Sequence, residues 1–160
     1  MNIYLIRHGE AEPTSDIKPD AERELTETGI QVLNSSVQIW KKYVTHFDVI
    51  LSSPLKRAMK TASIVKNTFE VESEIMKENS MLNGGSTKDL LIASESFGAQ
   101  EIAMVGHQPD LGMHIAAMIG SNNLNIKLLP ASIVKINFKD KVTLGKGILE
   151  FFLSPINKKG

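Results

Sequence analysis

The stretch "NIYLIRHGEAE", Asn2 to Glu12, begins with an apolar run and ends in charged groups around a glycine. The run Ile3–Ile6 has the length and composition of a buried β-strand. Arg7, His8 and Gly9 follow this run directly. Ligands of parallel sheets bind beyond the carboxyl ends of the strands. The stretch therefore predicts a strand that presents an arginine and a histidine to a binding site.

The rest of the chain alternates apolar runs with helical periodicity. We predict strands at Asp48–Leu51, Val71–Met76, Ile102–Val105, Ser132–Phe138 and Ile148–Leu153, and helices that begin near Thr26, Pro54, Ser86 and Pro109. The first helix carries an apolar stripe at Ile30, Leu33, Val37, Trp40 and Val44. This alternation predicts an α/β fold, a three-layer α/β/α sandwich around a mostly parallel sheet. The whole chain, residues 1–160, is expected to form one domain, with a long loop at Glu10–Glu24 and a frayed end at Lys158–Gly160.

Composition argues against several classes of protein. The chain has 18 basic and 18 acidic residues, so no overall charge favours nucleic acid or an acidic membrane as a partner. It has no cysteine, and no apolar run approaches the roughly 18 residues of a membrane span. No secretory signal is evident, so we expect a cytoplasmic protein. His46 and His114 lack neighbours with metal-ligand spacing, so we expect structural roles for them and no metal or cofactor.

Three predicted strand ends carry polar groups of the same kind. Arg7 and His8 follow the first strand, Ser53 follows the second with Arg57 one turn into the next helix, and His107 follows the run Ile102–Val105. Together they would bring two arginines and two histidines to one pocket. A guanidinium pairs with two phosphate oxygens at once, and the helices that begin near proline would add N–H groups and positive dipole ends.

A histidine between two arginines is suited to nucleophilic attack. Neighbouring positive charge disfavours the imidazolium form, and neutral imidazole is the nucleophilic form. The arginines would also stabilise the charge of a phosphoryl group during transfer. The residues alone therefore predict phosphoryl chemistry.

Three segments resemble the signatures of a known family. "LIRHGEAE", "LSSPLKRAMKTA" and "MVGHQPDL" are similar to the motifs of the histidine phosphatase superfamily, the phosphoglycerate-mutase-like proteins. The short chain, the segment "LTETG" and the final segment resemble more closely the small bacterial phosphohistidine phosphatases of the SixA type. The resemblance implies that His8 is the transiently phosphorylated nucleophile. It implies that Arg7, Arg57 and His107 bind the phosphoryl group, with Arg23 as a further candidate.

Two other residues match positions of the family. Ser53 and Thr61 lie in "SSPLKRAMKT", where we expect them to start and pack the helix rather than to bind substrate.

One departure from the family bears on the substrate. Many relatives carry a carboxylate in mid-chain that protonates a leaving alcohol, and Asn83–Gly85 stands in the matching region here. Glu78, Asp89 and Glu10 are not evident replacements. An alkoxide benefits from a general acid, whereas an imidazole that leaves a phosphoramidate needs less help. The departure favours an N–P substrate, although a slow, broad phosphatase is equally compatible with it.

The chain also lacks a long insertion between Arg57 and His107 that could build a cap. The loop Glu10–Glu24 is the one lid candidate. An open site could admit a phosphorylated side chain of another protein, and the resemblance implies a histidine phosphotransfer domain as partner.

Alternative functions remain open at this point. A small-molecule phosphomonoesterase could use the same scaffold. A mutase is disfavoured, because it must retain its intermediate in a closed site. A module that binds phosphorylated partners without hydrolysis would not require the histidine nucleophile.

Overall fold

A computed structural model describes residues 1–155 of the protein. Within this range six strands form one sheet: β1 at Asn2–Arg7, β2 at Val49–Ser52, β3 at Met76–Lys77, β4 at Glu101–Gly106, β5 at Ile133–Asn137 and β6 at Ile148–Leu153. Their order in the sheet is β3-β2-β4-β1-β5-β6. The first four of these are parallel, and β5 and β6 pair antiparallel. The α/β class and the mainly parallel sheet are therefore confirmed.

Helices cover both faces of the sheet. They are α1 at Glu27–Trp40, α2 at Lys56–Phe69, α3 at Thr87–Ser96 and α4 at Asp110–Ile119. Successive side chains of a strand point to opposite faces, so Tyr4 and Ile6 of β1 join one apolar cluster with α1 and α2. Ile3 and Leu5 join a second cluster with α3 and α4. This arrangement is the predicted three-layer sandwich.

Local sequence accounts for where α1 and α4 begin or end. The hydroxyl of Thr26 accepts a hydrogen bond from the N–H of Gly29 at 2.9 Å, which caps the start of α1. The predicted stripe is buried at Leu33, Val37 and Trp40. At the end of α4, Gly120 adopts a left-handed conformation with φ of 78°, as a helix-ending glycine does.

Two elements differ from the sequence prediction by more than one residue at an end. The predicted strand Val71–Met76 is wrong over most of its length, because only Met76 and Lys77 pair with β2. Val71 is buried, but its N–H bonds to the carbonyl of Lys66 in the turn that follows α2. Its apolar character therefore reflects core packing and not strand pairing. Helix α2 begins at Lys56 rather than Pro54, and the residues between connect it to β2.

The loop Glu10–Glu24 contains structure of its own. Residues Asp20–Glu22 form a 3-10 turn, and Ala11 forms an isolated antiparallel bridge with Leu25. Within the loop the Glu12 carboxylate accepts hydrogen bonds from Lys18 Nζ at 2.5 Å and from the N–H of Glu24 at 3.0 Å. Hydrogen bonds within the loop, and its bridge to Leu25 just before α1, therefore restrain the candidate lid.

Among residues 1–155, no helix combines the length and the apolar character that crossing a membrane requires. The predicted frayed end at Lys158–Gly160 lies outside the described residues.

Candidate active site

The candidate site lies where β2, β4 and β1 end side by side. Arg7 pairs with Gly106 in the last register position of β1 and β4, and the next residues of the two strands are His8 and His107. The centroids of these two imidazole rings are 5.1 Å apart. The structure thus brings together the polar groups that the sequence places after separate strands.

The backbone carbonyl of the next residue holds His8 in one tautomer. Its Nδ1 lies 2.6 Å from the carbonyl oxygen of Gly9. A carbonyl oxygen can only accept a hydrogen bond, so Nδ1 must carry the proton. In a neutral imidazole the other nitrogen, Nε2, then holds the free electron pair. This is the arrangement that a nitrogen nucleophile requires.

The surroundings of His8 keep its imidazole neutral. The side chain is buried, with 8% of the residue exposed. Burial lowers the pKa of His8 to about 3, and the hydrogen bond to Gly9 opposes this shift. The nearby charges of His107, Arg57 and Arg7 lower the pKa further. His8 is therefore uncharged at neutral pH.

His107 faces the end of β2. Its Nε2 lies 2.7 Å from the hydroxyl oxygen of Ser53, so Ser53 contacts a site histidine in addition to its place before α2. Burial and the charge of Arg57 lower the pKa of His107 to about 4, against the carboxylates of Asp20 and Asp110. Among residues 1–155, its Nδ1 is buried and has no hydrogen-bond partner.

Of the two arginines at the site, Arg57 is buried and Arg7 is half-buried, and both are only partly hydrogen-bonded. Arg7 Nη1 donates to the carbonyl of Leu128 at 2.5 Å, and burial lowers the pKa of Arg7. Arg57 Nη1 donates to the carbonyl of Asp20 at 2.7 Å, and Arg57 Nη2 lies 3.0 Å from Oδ2 of the same residue. Within the described part of the chain, the Nε of each arginine is shielded from water and lacks a partner. Buried N–H groups without partners are costly, and an oxyanion would satisfy them.

Arg23 has no hydrogen bond with Arg7, His8 or His107 among residues 1–155. Its Nε donates to the carbonyl of Glu12 at 2.7 Å, and its Nη1 donates to Oδ1 of Asp20 at 2.6 Å. Arg23 therefore reaches the site through Asp20, which also binds Arg57. A direct bond between Arg23 and a phosphate stays a prediction.

Thr61 and Gly9 support the turn after β1. The hydroxyl of Thr61 accepts the N–H of Gly9 at 3.1 Å and donates to the carbonyl of Arg57 at 2.9 Å. A Cβ at Gly9 would lie 3.2 Å from the carbonyl oxygen of Gly29. Gly9 is therefore packed against the start of α1.

The mid-chain carboxylates have structural partners. The N–H of Gly84 donates to Oδ1 of the buried Asp110 at 2.6 Å, so Asp110 holds the loop where relatives carry their acid. Glu78 accepts from the N–H of Ser80 at 2.8 Å, and Glu10 accepts from the hydroxyl of Thr26 at 2.8 Å. Asp110, Glu78 and Glu10 thus each accept a hydrogen bond from within the protein.

Sequence reasoning did not identify three groups of the site. Asp20 could have been found as an acidic residue three positions before Arg23, a spacing typical of a local ion pair. Asp110 follows the "GHQP" motif and could have been suspected on that ground. The carbonyl of Leu128 has no signature in the sequence, because only the folded chain brings it to Arg7.

The other histidines lie apart from the phosphoryl chemistry. His46 is exposed and its Nε2 lies 3.3 Å from Asp48 Oδ1. His114 is buried in α4, where its Nδ1 lies 2.7 Å from the hydroxyl of Thr87 and burial lowers its pKa. Over residues 1–155, no group of three or more His, Cys, Asp or Glu side chains is arranged to hold a metal ion.

A cavity of about 200 Å³ lies between the start of α4 and residues 124–127. Its wall includes Gln108, which follows His107, and Ile126 and Lys127, which precede the Leu128 carbonyl bound by Arg7. None of the site's arginines and histidines lines this cavity.

Comparison with known proteins agrees with this geometry. The family model of the histidine phosphatase superfamily (branch 1) matches residues 3–90. An uncharacterized protein of Picosynechococcus sp. is 32% identical over 138 residues, which cover 84% of this chain and 83% of that protein. A phosphohistidine phosphatase SixA homolog of Haemophilus influenzae is 30% identical over 146 residues, which cover 85% of this chain and 87% of that protein. The chain belongs to the histidine phosphatase superfamily, and this membership supports phosphatase activity.

Solved structures share the whole fold. The protein histidine phosphatase SixA complexed with tungstate matches with a TM-score of 0.86 at 20% identity, covering 98% of this chain and 99% of that chain. The alpha-ribazole phosphatase from Shigella flexneri matches with a TM-score of 0.71 at 18% identity, covering 94% and 96%. The phosphoglycerate-mutase-like, SixA-type fold is thereby confirmed.

Proposed function

We propose that this protein is a metal-independent phosphatase that forms a covalent phosphohistidine on His8 and acts on phosphohistidine in proteins, foremost in histidine phosphotransfer domains. One observation carries the chemistry: the Nδ1–H of His8 is bonded to the Gly9 carbonyl, which leaves Nε2 with its electron pair. Burial keeps this imidazole neutral. Arg7 and Arg57 supply the positive charge that a metal ion supplies in other phosphatases.

The reaction has two transfer steps. Nε2 of His8 attacks the phosphorus, the P–N bond of the substrate breaks, and the leaving imidazole keeps the electron pair and takes a proton from water. A second water then attacks the phosphorus of phospho-His8 and gives a proton to the hydroxide left by the first step. The P–Nε2 bond breaks, its electron pair returns to Nε2, and inorganic phosphate is released. Arg7, Arg57 and His107 would bind the phosphoryl oxygens in both steps.

The preference for phosphohistidine rests on the leaving group. An imidazole leaves with modest help, whereas an alkoxide benefits from a general acid. Asp110, the carboxylate nearest to the loop that carries the acid in relatives, is buried and bonded to Gly84. The SixA homolog of Haemophilus influenzae, 30% identical, is named a phosphohistidine phosphatase, which supports the same substrate class here.

The decisive experiment compares two substrates. Purified protein with EDTA is mixed with a phosphorylated histidine phosphotransfer domain, and separately with p-nitrophenyl phosphate. We expect rapid loss of protein phosphohistidine and slow ester cleavage. His8→Ala should abolish both activities with the fold intact, and His46→Ala, which changes an exposed histidine, is the matched control. Substantial turnover by His8→Ala would refute the nucleophile.

Two alternatives are separated by the same assay. The alpha-ribazole phosphatase from Shigella flexneri shares the fold, so a small-molecule phosphomonoesterase is the second candidate. Strong ester cleavage with an untouched phosphoprotein would favour it. Tight, phosphate-dependent binding of the phosphoprotein without turnover would instead favour a non-catalytic binding module.

A further inference from the structure

A carboxylate of the N-terminal loop contacts two arginines of the candidate site. Asp20 opens the 3-10 turn Asp20–Glu22 and directs Oδ1 to Arg23 and Oδ2 to Arg57. Its carbonyl oxygen accepts a further hydrogen bond from Arg57. Asp20 thus makes three contacts with arginine side chains, one with Arg23 and two with the buried Arg57.

The contacts of Asp20 use only some of the N–H donors of Arg57. A guanidinium has five N–H donors in one plane. Asp20 uses one donor of Nη1 and one of Nη2, and within residues 1–155 the Nε–H has no partner and no access to water. The charge of Arg57 lowers the pKa of both His8 and His107, and the Thr61 hydroxyl links the Arg57 carbonyl to the N–H of Gly9, which follows His8.

We propose that Asp20 is a positioning residue for the reaction: its carboxylate and its carbonyl hold the Arg57 guanidinium in one orientation at the site before the phosphoryl group binds. A long arginine side chain loses much rotamer freedom when it is held in place. Because Asp20 already restricts Arg57 in the free protein, substrate binding loses less side-chain entropy, so the site is preorganised. The inference rests on the proposed function only in taking a phosphoryl group as the ligand.

A role in proton transfer fits Asp20 less well. The side-chain hydrogen bond from Arg23 lowers the pKa of Asp20, burial opposes this shift, and the hydrogen bond and charge of Arg57 lower the pKa further. An ionised carboxylate cannot protonate a leaving group at neutral pH. Asp20 could instead occupy the phosphate site as an internal anion, which phosphate would have to displace. In that case Asp20→Ala would bind phosphate more tightly, and the first test measures this.

The first test measures binding of inorganic phosphate by calorimetry, which needs no turnover. Loss of charge-assisted hydrogen bonds at Arg57 should weaken phosphate binding about tenfold in Asp20→Ala, with Asp20→Asn between that variant and the wild type. Glu22→Ala is the matched control, because Glu22 lies in the same turn and pairs with Lys56 instead of Arg57. This variant should bind phosphate as the wild type does. Unchanged or tighter binding by Asp20→Ala would overturn the proposal.

The second test asks whether Asp20 acts through the shape of Arg57. Arg57→Lys keeps the positive charge and removes the planar fork. In that background Asp20→Ala should change phosphate affinity less than twofold, because no guanidinium edge remains to be oriented. A tenfold loss in both backgrounds would contradict the positioning role. The binding tests stand even if His8→Ala retains turnover, so failure of the proposed function and failure of this inference are distinguishable.

Discussion

At the scale of single residues, the two site histidines make stability depend on pH. Burial holds the pKa of His107 at about 4, compared with 6.5 for a free histidine. The unfolded chain therefore binds a proton at a pH where the folded chain does not. Stability is complete above about pH 6.5 and is lost as the pH falls toward 4.

We expect His107→Gln to reduce the loss of unfolding free energy between pH 6.5 and pH 4.5 by about 2 kcal/mol. Urea denaturation at both pH values measures this difference. Ser53→Ala is the control, because it removes the contact of the imidazole and keeps the imidazole itself. The same pH dependence in wild type and His107→Gln would show that His107 titrates alike in both states.

Thr61 provides a second prediction at this scale. Thr61→Val keeps the shape of the side chain and leaves the buried N–H of Gly9 without its acceptor, which should cost about 1–3 kcal/mol of stability. Thr68→Val on the same helix is the matched control, since its hydroxyl donates to the Ile64 carbonyl in the same way that Thr61 donates to Arg57. Equal losses in the two variants, measured by urea denaturation, would contradict a special role of the Gly9 contact.

At the scale of elements, the start of α1 is packed against the segment that follows His8. A Cβ at Gly29 would lie 2.2 Å from the carbonyl oxygen of Glu10, and the same carbonyl accepts the N–H of Thr26 at 3.0 Å. Helix propensity alone would favour alanine at Gly29 by about 1 kcal/mol. The close contact reverses this preference, because two backbone segments cannot yield as a flexible side chain can.

We therefore expect Gly29→Ala to lower both the melting temperature and kcat/KM, because the displaced Glu10 segment carries the turn that orients His8. Ser35→Ala, at an exposed position of α1, should leave activity unchanged and stability equal or slightly higher. Calorimetry and the phosphatase assay measure both effects. A Gly29→Ala protein as stable and active as the Ser35→Ala protein would refute the packing argument.

At the scale of the whole molecule, the two apolar clusters share the strands β1 and β4. Ile3 and Ile102 lie in one cluster, and Tyr4 and Ala103 lie in the other. If one layer of helices detaches, it exposes one face of β1 and β4 to water. The other layer packs against the opposite face of the same two strands. The two layers should therefore unfold together.

We expect one transition in urea, with coincident midpoints for far-UV circular dichroism and for the fluorescence of Trp40, the single tryptophan. Amide hydrogen exchange should give the same opening free energy for interior residues of α1 and α4. A lower opening free energy for α4, or separate midpoints, would show that the layers unfold independently.

The sequence by itself determined the class of fold and predicted the arginines and histidines of the candidate site. Apolar runs followed by Arg7–His8, Ser53 and His107 predict three strand ends with phosphate-binding chemistry, because strand burial and helix periodicity are encoded locally. The misplaced strand at Val71–Met76 shows the limit of this reasoning. A buried residue in a turn and a buried residue in a strand carry the same apolar signal.

Only the tertiary structure decided how the site residues are held. The tautomer of His8 depends on the position of the Gly9 carbonyl, and Arg7 binds a carbonyl 121 residues away in the chain. Asp20 and Arg57 meet across 37 residues. These contacts join backbone atoms and distant segments, and backbone atoms are the same in every residue. A one-dimensional pattern can therefore name the reactive side chains, whereas their protonation and orientation follow from the packing of the folded chain.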